Sequence, residues 1–348
     1  MSDPVDVLVI GAGVAGLACA RALAAAGVAV RVVDKGRGVG GRMATRRLGG
    51  HGFDTGAQFF TARTPAFAAE VQRWHAAGAC APWSDGLLGG DGRLHRDGHQ
   101  RWRGCGAMTA IPKQLAQGLA VDTGVEIDRL DAVDGRWLAL AGDGRSFSAR
   151  RLVLTAPVPQ ALRLLDRGRQ PRALPPAELQ RLRAVRYRTC LGLLLEWPEA
   201  AEAALPAPGG LRCDDEAEPV QWLLSHRRTG QRPTGEGLTM HLRGAWCDPR
   251  YDLDDAALLA EVAPLAAAAL ARWCGPGWRL PAAPMLKRWR YAHALNPVPE
   301  ACWPCDLGAP LVLAGDAFGD APRIEGAWCS GMAAAAALAP GAAAASMS

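Results

Sequence analysis

Lysine is almost missing from this chain. Of its 39 Lys and Arg residues, three are lysines, Lys35, Lys113 and Lys287, and the rest of the positive charge is arginine. The net charge of +5 has no polybasic run behind it, so a nucleic-acid or membrane-surface partner is not expected. Single arginines facing an anionic ligand stay compatible with that pattern. Uninterrupted apolar runs are absent too. Residues 256–271 and 331–345 are alanine-dominated and broken by Glu261, Pro264 or Pro340, and neither reads as a membrane span. The apolar run Val5–Ile10 starts almost at once, which leaves no room for an export leader. With ten cysteines and no such leader expected, reduced thiols and a cytoplasmic location are expected. Cys302-Trp303-Pro304-Cys305 has no second Cys/His pair nearby, so no metal site is expected there, only incidental loop thiols.

What remains is a folded, two-domain composition. Hydrophobic residues make up 49% and charged residues 21% of 348, a length that suggests about two domains. The 41 glycines and 25 prolines stay below the low-complexity range. About one residue in five is alanine, a skew that composition bias explains without function.

The chain opens as strand, glycine turn, helix, strand. Val14 to Ala26 is alanine-rich and ends at Gly27, a C-terminal stop signal for a helix. Val28–Val33 is β-branched and apolar, as a buried parallel strand should be. Between them lies Gly11-Ala12-Gly13-Val14-Ala15-Gly16, the dinucleotide fingerprint in its proper context. Its first glycine allows the tight turn, its second a close approach of backbone to a diphosphate, its third helix–strand packing. Asp34 follows Gly16 by 18 residues, the place for a carboxylate on ribose hydroxyls. A β-rich stretch fills 124–157, and residues 160–300 are irregular and rich in tryptophan, a roof over a ligand. Leu311–Ala314 then reads as a further buried strand, with Gly315-Asp316 and a helix from Ile324 after it.

These motifs predict an α/β fold. A Rossmann-type nucleotide lobe, split in sequence, takes 1–75, 103–160 and 305–348, and an inserted α+β substrate lobe takes 76–102 and 161–304.

After Asp34 come Lys35-Gly36-Arg37-Gly38-Val39-Gly40-Gly41-Arg42-Met43. This glycine pair and arginine resemble the FAD lobe of flavoprotein amine oxidases, where the arginine serves as a forked donor beside an anion. Leu313-Ala314-Gly315-Asp316 resembles the second flavin motif, and Pro322–Ala327 opens a helix whose N-terminus would stabilise negative charge on the flavin pyrimidine. Narrower words fill the space between: Gly40–Arg47, Phe53-Asp54-Thr55-Gly56-Ala57-Gln58-Phe59-Phe60-Thr61, Lys287-Arg288-Trp289-Arg290-Tyr291-Ala292 and Arg323-Ile324-Glu325-Gly326-Ala327. Together they resemble bacterial renalase-like flavoproteins of the flavin amine oxidase superfamily over essentially the whole chain. His241–Trp246 keeps that family's His and Trp spacing in different surroundings.

The resemblance implies a non-covalent FAD. In the first motif it assigns Gly11, Ala12, Gly13, Ala15, Gly16, Asp34, Lys35, Gly41, Arg42 and Met43 to the cofactor. The middle of the chain adds Gly56, Ala57, Gln58, Phe59 and the backbone at Leu130 beside the adenine, and the last motif adds Gly315, Asp316, Arg323, Ile324 and Glu325. It also implies an oxidase that returns 2- and 6-dihydro isomers of NAD(P)H to NAD(P)+ and reduces O2 to hydrogen peroxide. Of the two GxGxxG matches, 11–16 and 36–41, only the first lies between a predicted strand and a predicted helix, so the nicotinamide enters as substrate. Hydride loss from a dihydropyridine restores aromaticity without proton removal, so such a site needs positioning more than a base. Phe59, Tyr187, Trp222, His241, Trp246, Trp289 and Tyr291 are the side chains expected around the ring, and Arg288, with Arg243 and Arg290, around phosphate.

Amine oxidation is the competing enzyme reading. It calls for a lysine near the flavin, and Lys287 is the one available, with an exposed strand end as its alternative role. A flavin-binding protein without turnover is a reading of a third kind.

Overall fold

A computed structural model describes residues 4–48, 50–320 and 323–339. The chain divides into two compact units. Of the described residues, the first holds those within 4–41, 111–187 and 293–339, and the second those within 42–110 and 188–292.

The first unit is built on a parallel sheet. Strand Val5–Ile10 lies between Val30–Asp34 and Ser146–Leu154, parallel to both, with Leu8 opposite Arg31 on one side and Leu152 on the other. Ala120–Thr123 extends the sheet beyond Val30–Asp34, and Pro310–Leu313 extends it beyond Ser146–Leu154, both parallel. Strands buried on both faces need apolar side chains throughout, and Val7, Leu8, Val9, Val32, Val33, Leu152, Val153 and Leu154 are all fully buried. Ser146–Leu154 has a second task, since its first half pairs antiparallel with Arg136–Ala141, which pairs in turn with Ile127–Val133. Trp137 locks this meander down. Its ring is fully buried and its Nε1 donates to the Pro310 carbonyl at 2.9 Å.

Helix Val14–Ala25 ends at Ala26, with Gly27 at φ +78°, the left-handed residue that a helix stop uses. Helix Ile324–Leu338 packs on it where Gly331 meets Ala15. A Cβ at 331 would lie 2.1 Å from the Ala15 carbonyl oxygen, so only glycine permits this approach.

The second unit carries a sheet of eight strands. Its order is Met285–Ala294, Tyr187–Trp197, Glu236–Leu242, Val220–Ser225, Gly210–Arg212, Cys80–Gly89, Leu94–Gly104 and Phe60–Thr61. Alternation gives it two faces. Leu191, Leu193, Leu195, Leu223, Leu238 and Met240 share one core with Leu258, Val262, Ala266 and Leu270 of the helix that starts at Asp255. Continued to Cys274, this helix is long and apolar enough to cross a membrane by length and composition. Its buried residues recur every four positions, the spacing of a stripe packed on a sheet.

The unit boundaries differ from the expected lobes. Residues 42–75 belong with the second unit because Phe60 and Thr61 pair with Trp102 and Arg101. Residues 161–187 belong with the first, where Leu162, Leu165 and Leu182 complete its core. Residues 293–304 join them through Ala294, Val298 and Trp303. Cys305 is no loop thiol, for Trp303–Asp306 is a strand paired antiparallel with Pro310–Leu313. The expected tryptophan roof also divides. Trp197, Trp246, Trp273 and Trp278 pack against the leucine core, and Trp303 lies in the core of the first unit.

Candidate functional site

In the first unit the two glycine words meet. Gly40 N donates to the Ala12 carbonyl at 2.8 Å, and a Cβ on Gly41 would lie 3.5 Å from the Gly13 Cα. Asp34 fastens the turn, accepting from Ala12 N and Gly36 N at 2.6 Å each, one bond on each carboxylate oxygen. That uses half of the four lone-pair positions of a carboxylate. Thr155, which the sequence did not single out, supports the turn from the neighbouring strand. Its hydroxyl reaches the Ile10 and Gly11 carbonyls at 3.1 and 3.2 Å. A Cβ on Gly11 would meet that hydroxyl at 2.2 Å, and one on Gly16 would lie 1.9 Å from the Gly11 oxygen. Gly13 is different, because a Cβ there would meet no other described residue within 4 Å.

Helix Val14–Ala25 starts at Gly13 with no side-chain cap and no acid in its first turn. Open space in front of an uncapped helix end fits the diphosphate of a dinucleotide, since orphan N–H groups and the dipole both favour an anion there. Lys35 lies 3.7 Å from Glu126. The backbone that returns to Asp34 is Val125, whose N–H donates to the Asp34 carbonyl at 2.9 Å. Leu130 lies deeper in the meander, fully buried, with its carbonyl taken by Gln170 Nε2 at 2.7 Å. Gly315, at φ +138°, donates its N–H to Ser330 Oγ at 2.9 Å, and Asp316 beside it is buried. Arg323, Ile324 and Glu325 open the last helix, and Pro322 lies outside the described residues. Cys329 on that helix has its thiol pushed up by burial and by Glu325, so it is a poor thiolate.

In the second unit, four residues form a row across adjacent strands of the face opposite the leucine core. His241 pairs directly with Gly192 and with Trp222. A Cβ on Gly192 would approach His241 Cδ2 to 3.3 Å and Lys287 Cβ to 3.7 Å, which places Lys287 on the same face. The Thr55 carbonyl joins this row from the segment after strand His51–Asp54. It accepts from His241 Nε2 at 3.1 Å and from Trp289 Nε1 at 2.7 Å. Gln58, three residues on, accepts from Trp222 Nε1. Phe59 stacks obliquely on Trp222, with ring centroids 5.3 Å apart. Gly56 allows all this, because a Cβ there would meet the Arg42 carbonyl oxygen at 2.1 Å and Trp289 at 3.3 Å. The same carbonyl accepts from Ala57 N at 2.9 Å, while the Arg42 guanidinium donates to the Tyr291 carbonyl at 3.2 Å. Met43 between them is buried.

The electrostatics follow from burial. His241 is held neutral, its pKa pushed down to about 4 by burial, with the bond to Thr55 opposing. A carbonyl only accepts, so His241 Nε2 carries its proton. Lys287 is half-buried, its Nζ 4.4 Å from the Trp289 ring centroid, and its pKa is lowered by burial and then by Arg46.

Several expected residues are not in this row. Arg288 and Arg290 alternate with Lys287, Trp289 and Tyr291 along one strand, so they point away. Arg288 binds Asp255 at 2.6 Å and the Tyr251 carbonyl, and Arg290 binds Asp252 at 2.6 Å. Arg243 donates to three backbone carbonyls, of Glu218, Cys213 and Asp215. Trp246 lies under the Arg250 guanidinium, 4.5 Å away, against the leucine core. Tyr187 packs in the first unit and accepts from Val158 N at 3.2 Å. Among the described residues no group of His, Cys, Asp and Glu is placed to hold a metal ion.

Comparison with known proteins agrees with this fold. Residues 9–75 match the NAD(P)-binding Rossmann-like domain, and residues 65–339 match the flavin containing amine oxidoreductase family. Solved structures with the same fold include wild-type putrescine oxidase bound to putrescine, at 16% identity and TM-score 0.70 over 96% of this chain and 99% of that one. Cyclohexylamine oxidase from Brevibacterium oxydans IH-35A is similar at 17% identity and TM-score 0.70, over 96% and 98%. A putative protoporphyrinogen oxidase from Exiguobacterium sp. 255-15 is similar at 14% and 0.69, over 95% and 97%. The flavin family match takes in well over half of the chain, and the protein belongs to the flavin-containing amine oxidoreductases, as an FAD-dependent oxidoreductase.

Proposed function

We propose that this enzyme is a renalase-type oxidase, which converts 2- and 6-dihydro isomers of NAD(P)H, with O2 and one proton, to NAD(P)+ and hydrogen peroxide. FAD, when bound, supplies the hydride acceptor and the path of the two electrons to O2. The uncapped start of helix Val14–Ala25 and the Gly13 opening bind its diphosphate, and the remaining lone pairs of Asp34 orient a ribose. Gly315, Asp316 and the first turn of the last helix, Arg323 to Glu325, would attend its other parts. Trp289, His241, Trp222 and Phe59 hold the flat ring of the substrate.

One observation carries this reading. The wall of aromatic groups is pinned to the Thr55 carbonyl, and His241 within it is neutral, with Nε2 already donating. A ring nitrogen with a pKa of about 4 is a weak base at neutral pH, and a dihydropyridine asks for none.

A second observation favours amine oxidation. Lys287 is no exposed strand end but half-buried beside Trp289, with a lowered pKa, and the names of two structural neighbours are those of amine oxidases. Anaerobic mixing of the holoenzyme separates the readings. With 6-dihydroNAD, ordinary NADH and a panel of primary amines, the visible flavin absorbance is expected to bleach fastest with the dihydro isomer. Fast bleaching by amines alone overturns the proposal in favour of the Lys287 reading. Bleaching by none points to a flavin protein without turnover.

A further inference from the structure

Behind the Thr55 carbonyl lies a closed ring of buried side chains. Asp54 Oδ1 accepts from Thr45 Oγ1 at 2.5 Å and from Met108 N at 3.0 Å. Oδ2 faces the side-chain amide of Gln231. The other end of that amide is 2.5 Å from His226 Nδ1, and His226 Nε2 is 2.7 Å from Thr239 Oγ1. Thr239 Oγ1 closes the ring at the backbone carbonyl of Asp54, 3.2 Å away. Asp54, His226 and Thr239 are fully buried and Gln231 is 9% exposed, so their polar atoms must find partners within the protein; the Asp54 carbonyl also accepts from Gln58 Nε2 at 3.1 Å.

Each link holds at most one proton, and with His226 neutral the count allows two arrangements. With Asp54 as a carboxylate, Gln231 turns its N–H groups toward it and accepts from His226 Nδ1–H. Nε2 is then bare and takes the single hydroxyl proton of Thr239, so the Asp54 carbonyl loses Thr239 as a donor. With a proton on Oδ2, every link reverses. The carboxyl donates to the Gln231 oxygen, Gln231 N–H donates to bare Nδ1, Nε2–H donates to Thr239, and Thr239 donates to the Asp54 carbonyl. With His226 neutral, any mixed arrangement sets two acceptors or two donors face to face.

We propose that Asp54 is a positioning residue whose proton sets the direction of this ring, and with it whether Thr239 braces the peptide that carries Thr55 and, through it, Trp289 and His241. The surrounding charges make Asp54 the group that titrates. Burial lifts its carboxyl to about 6 against the opposing bonds from Thr45, Met108 and Gln231 and the attraction of Arg103. Burial pushes His226 down to about 4, and Arg232 and His241 push the same way. Arg232 is itself paired with Glu196 at 2.8 Å. His226 therefore stays neutral while Asp54 changes charge, and only its tautomer moves. The ring lies behind the aromatic wall whichever substrate that wall receives, so the inference does not depend on the dihydronicotinamide reading.

The tautomer is directly measurable. In the holoenzyme labelled with 15N-histidine, the ring nitrogens of His226, identified by their loss in His226→Asn, report which nitrogen is protonated. The expected result is the Nδ1–H form at pH 7.5 and the Nε2–H form at pH 5, with a midpoint near the Asp54 value of about 6. In Asp54→Asn, Thr45 and Met108 keep the amide oxygen in place of Oδ1 and the NH2 group faces Gln231. That variant is expected to show the Nε2–H form at both pH values. It should also lose the change in substrate KM expected of the wild type across this range. One tautomer throughout the wild-type titration overturns the proposal without any variant, and an Asp54→Asn protein that titrates like the wild type overturns it as well.

Discussion

A valine at position 13 would separate flavin binding from folding. Gly13 has φ −78° and ψ −179°, ordinary extended backbone that valine adopts without strain. Its chain neighbours and the helix's own backbone aside, no described residue has an atom within 4 Å of where its Cβ would sit. Replacing glycine restricts the unfolded chain, a gain of about 0.4–1 kcal/mol, whereas valine is the poorer N-cap by about 1 kcal/mol. The two nearly cancel, so the FAD-free protein should melt within about 4 °C of the FAD-free wild type. The cofactor is another matter. The valine methyls occupy the space in front of the helix N–H groups, and two lost charge-assisted bonds to phosphate cost about 3–6 kcal/mol, or about 10² to 10⁴ in affinity. Gly16→Ala provides the contrast, since its Cβ meets a backbone oxygen at 1.9 Å and should cost folding about 3 kcal/mol or more. Flavin absorbance per protein after purification, with thermal melts taken with and without added FAD, reads both quantities. A Gly13→Val protein that keeps wild-type flavin content, or that melts as low as Gly16→Ala, refutes the reasoning.

Two further outcomes follow from the site. His226 and His241 both fall from an ordinary 6.5 to about 4 through burial, so each stabilises fully above pH 6.5 and loses about 3 kcal/mol as the pH drops through 4. Asp54, raised from 3.8 to about 6, has the opposite sign and recovers about 3 kcal/mol over pH 6 to 4. Denaturant titrations should therefore show a net loss of about 3 kcal/mol on acidification, reduced to near zero in His241→Asn, and a wild-type stability that is flat over this window would contradict the burial argument. Arg288→Ala should leave substrate KM within about twofold and cost about 1 kcal/mol of stability through the lost bonds to Asp255 and Tyr251. A tenfold rise in KM would return Arg288 to the binding face.

Local signals made the nucleotide half readable. A tight turn, a close approach and a helix stop each demand glycine within a few residues, and a doubly buried parallel strand demands an unbroken apolar run, so Val5–Asp34 could be read in order. Gly331 shows where that stops. Its role is to meet Ala15, more than 300 positions away, and nothing beside it in the sequence says so. The substrate half was legible only as residue types. The Arg-Trp-Arg-Tyr word names four candidates, but strand alternation sends the arginines to Asp255 and Asp252 and keeps Trp289 with Lys287. Likewise the domain boundaries depend on which strands pair, and Phe60 with Trp102 is a choice made by the sheet.

The sequence by itself determined the cofactor lobe and the chemistry class, because glycine geometry and buried-strand composition are local requirements written where they act. Only the tertiary structure decided which side chains share one face of the second sheet. The Thr55 carbonyl became a shared acceptor for His241 and Trp289, and Asp54 acquired its buried ring, when distant strands closed around them. Hydrogen-bond partners and desolvation belong to that packing and not to any one stretch of chain.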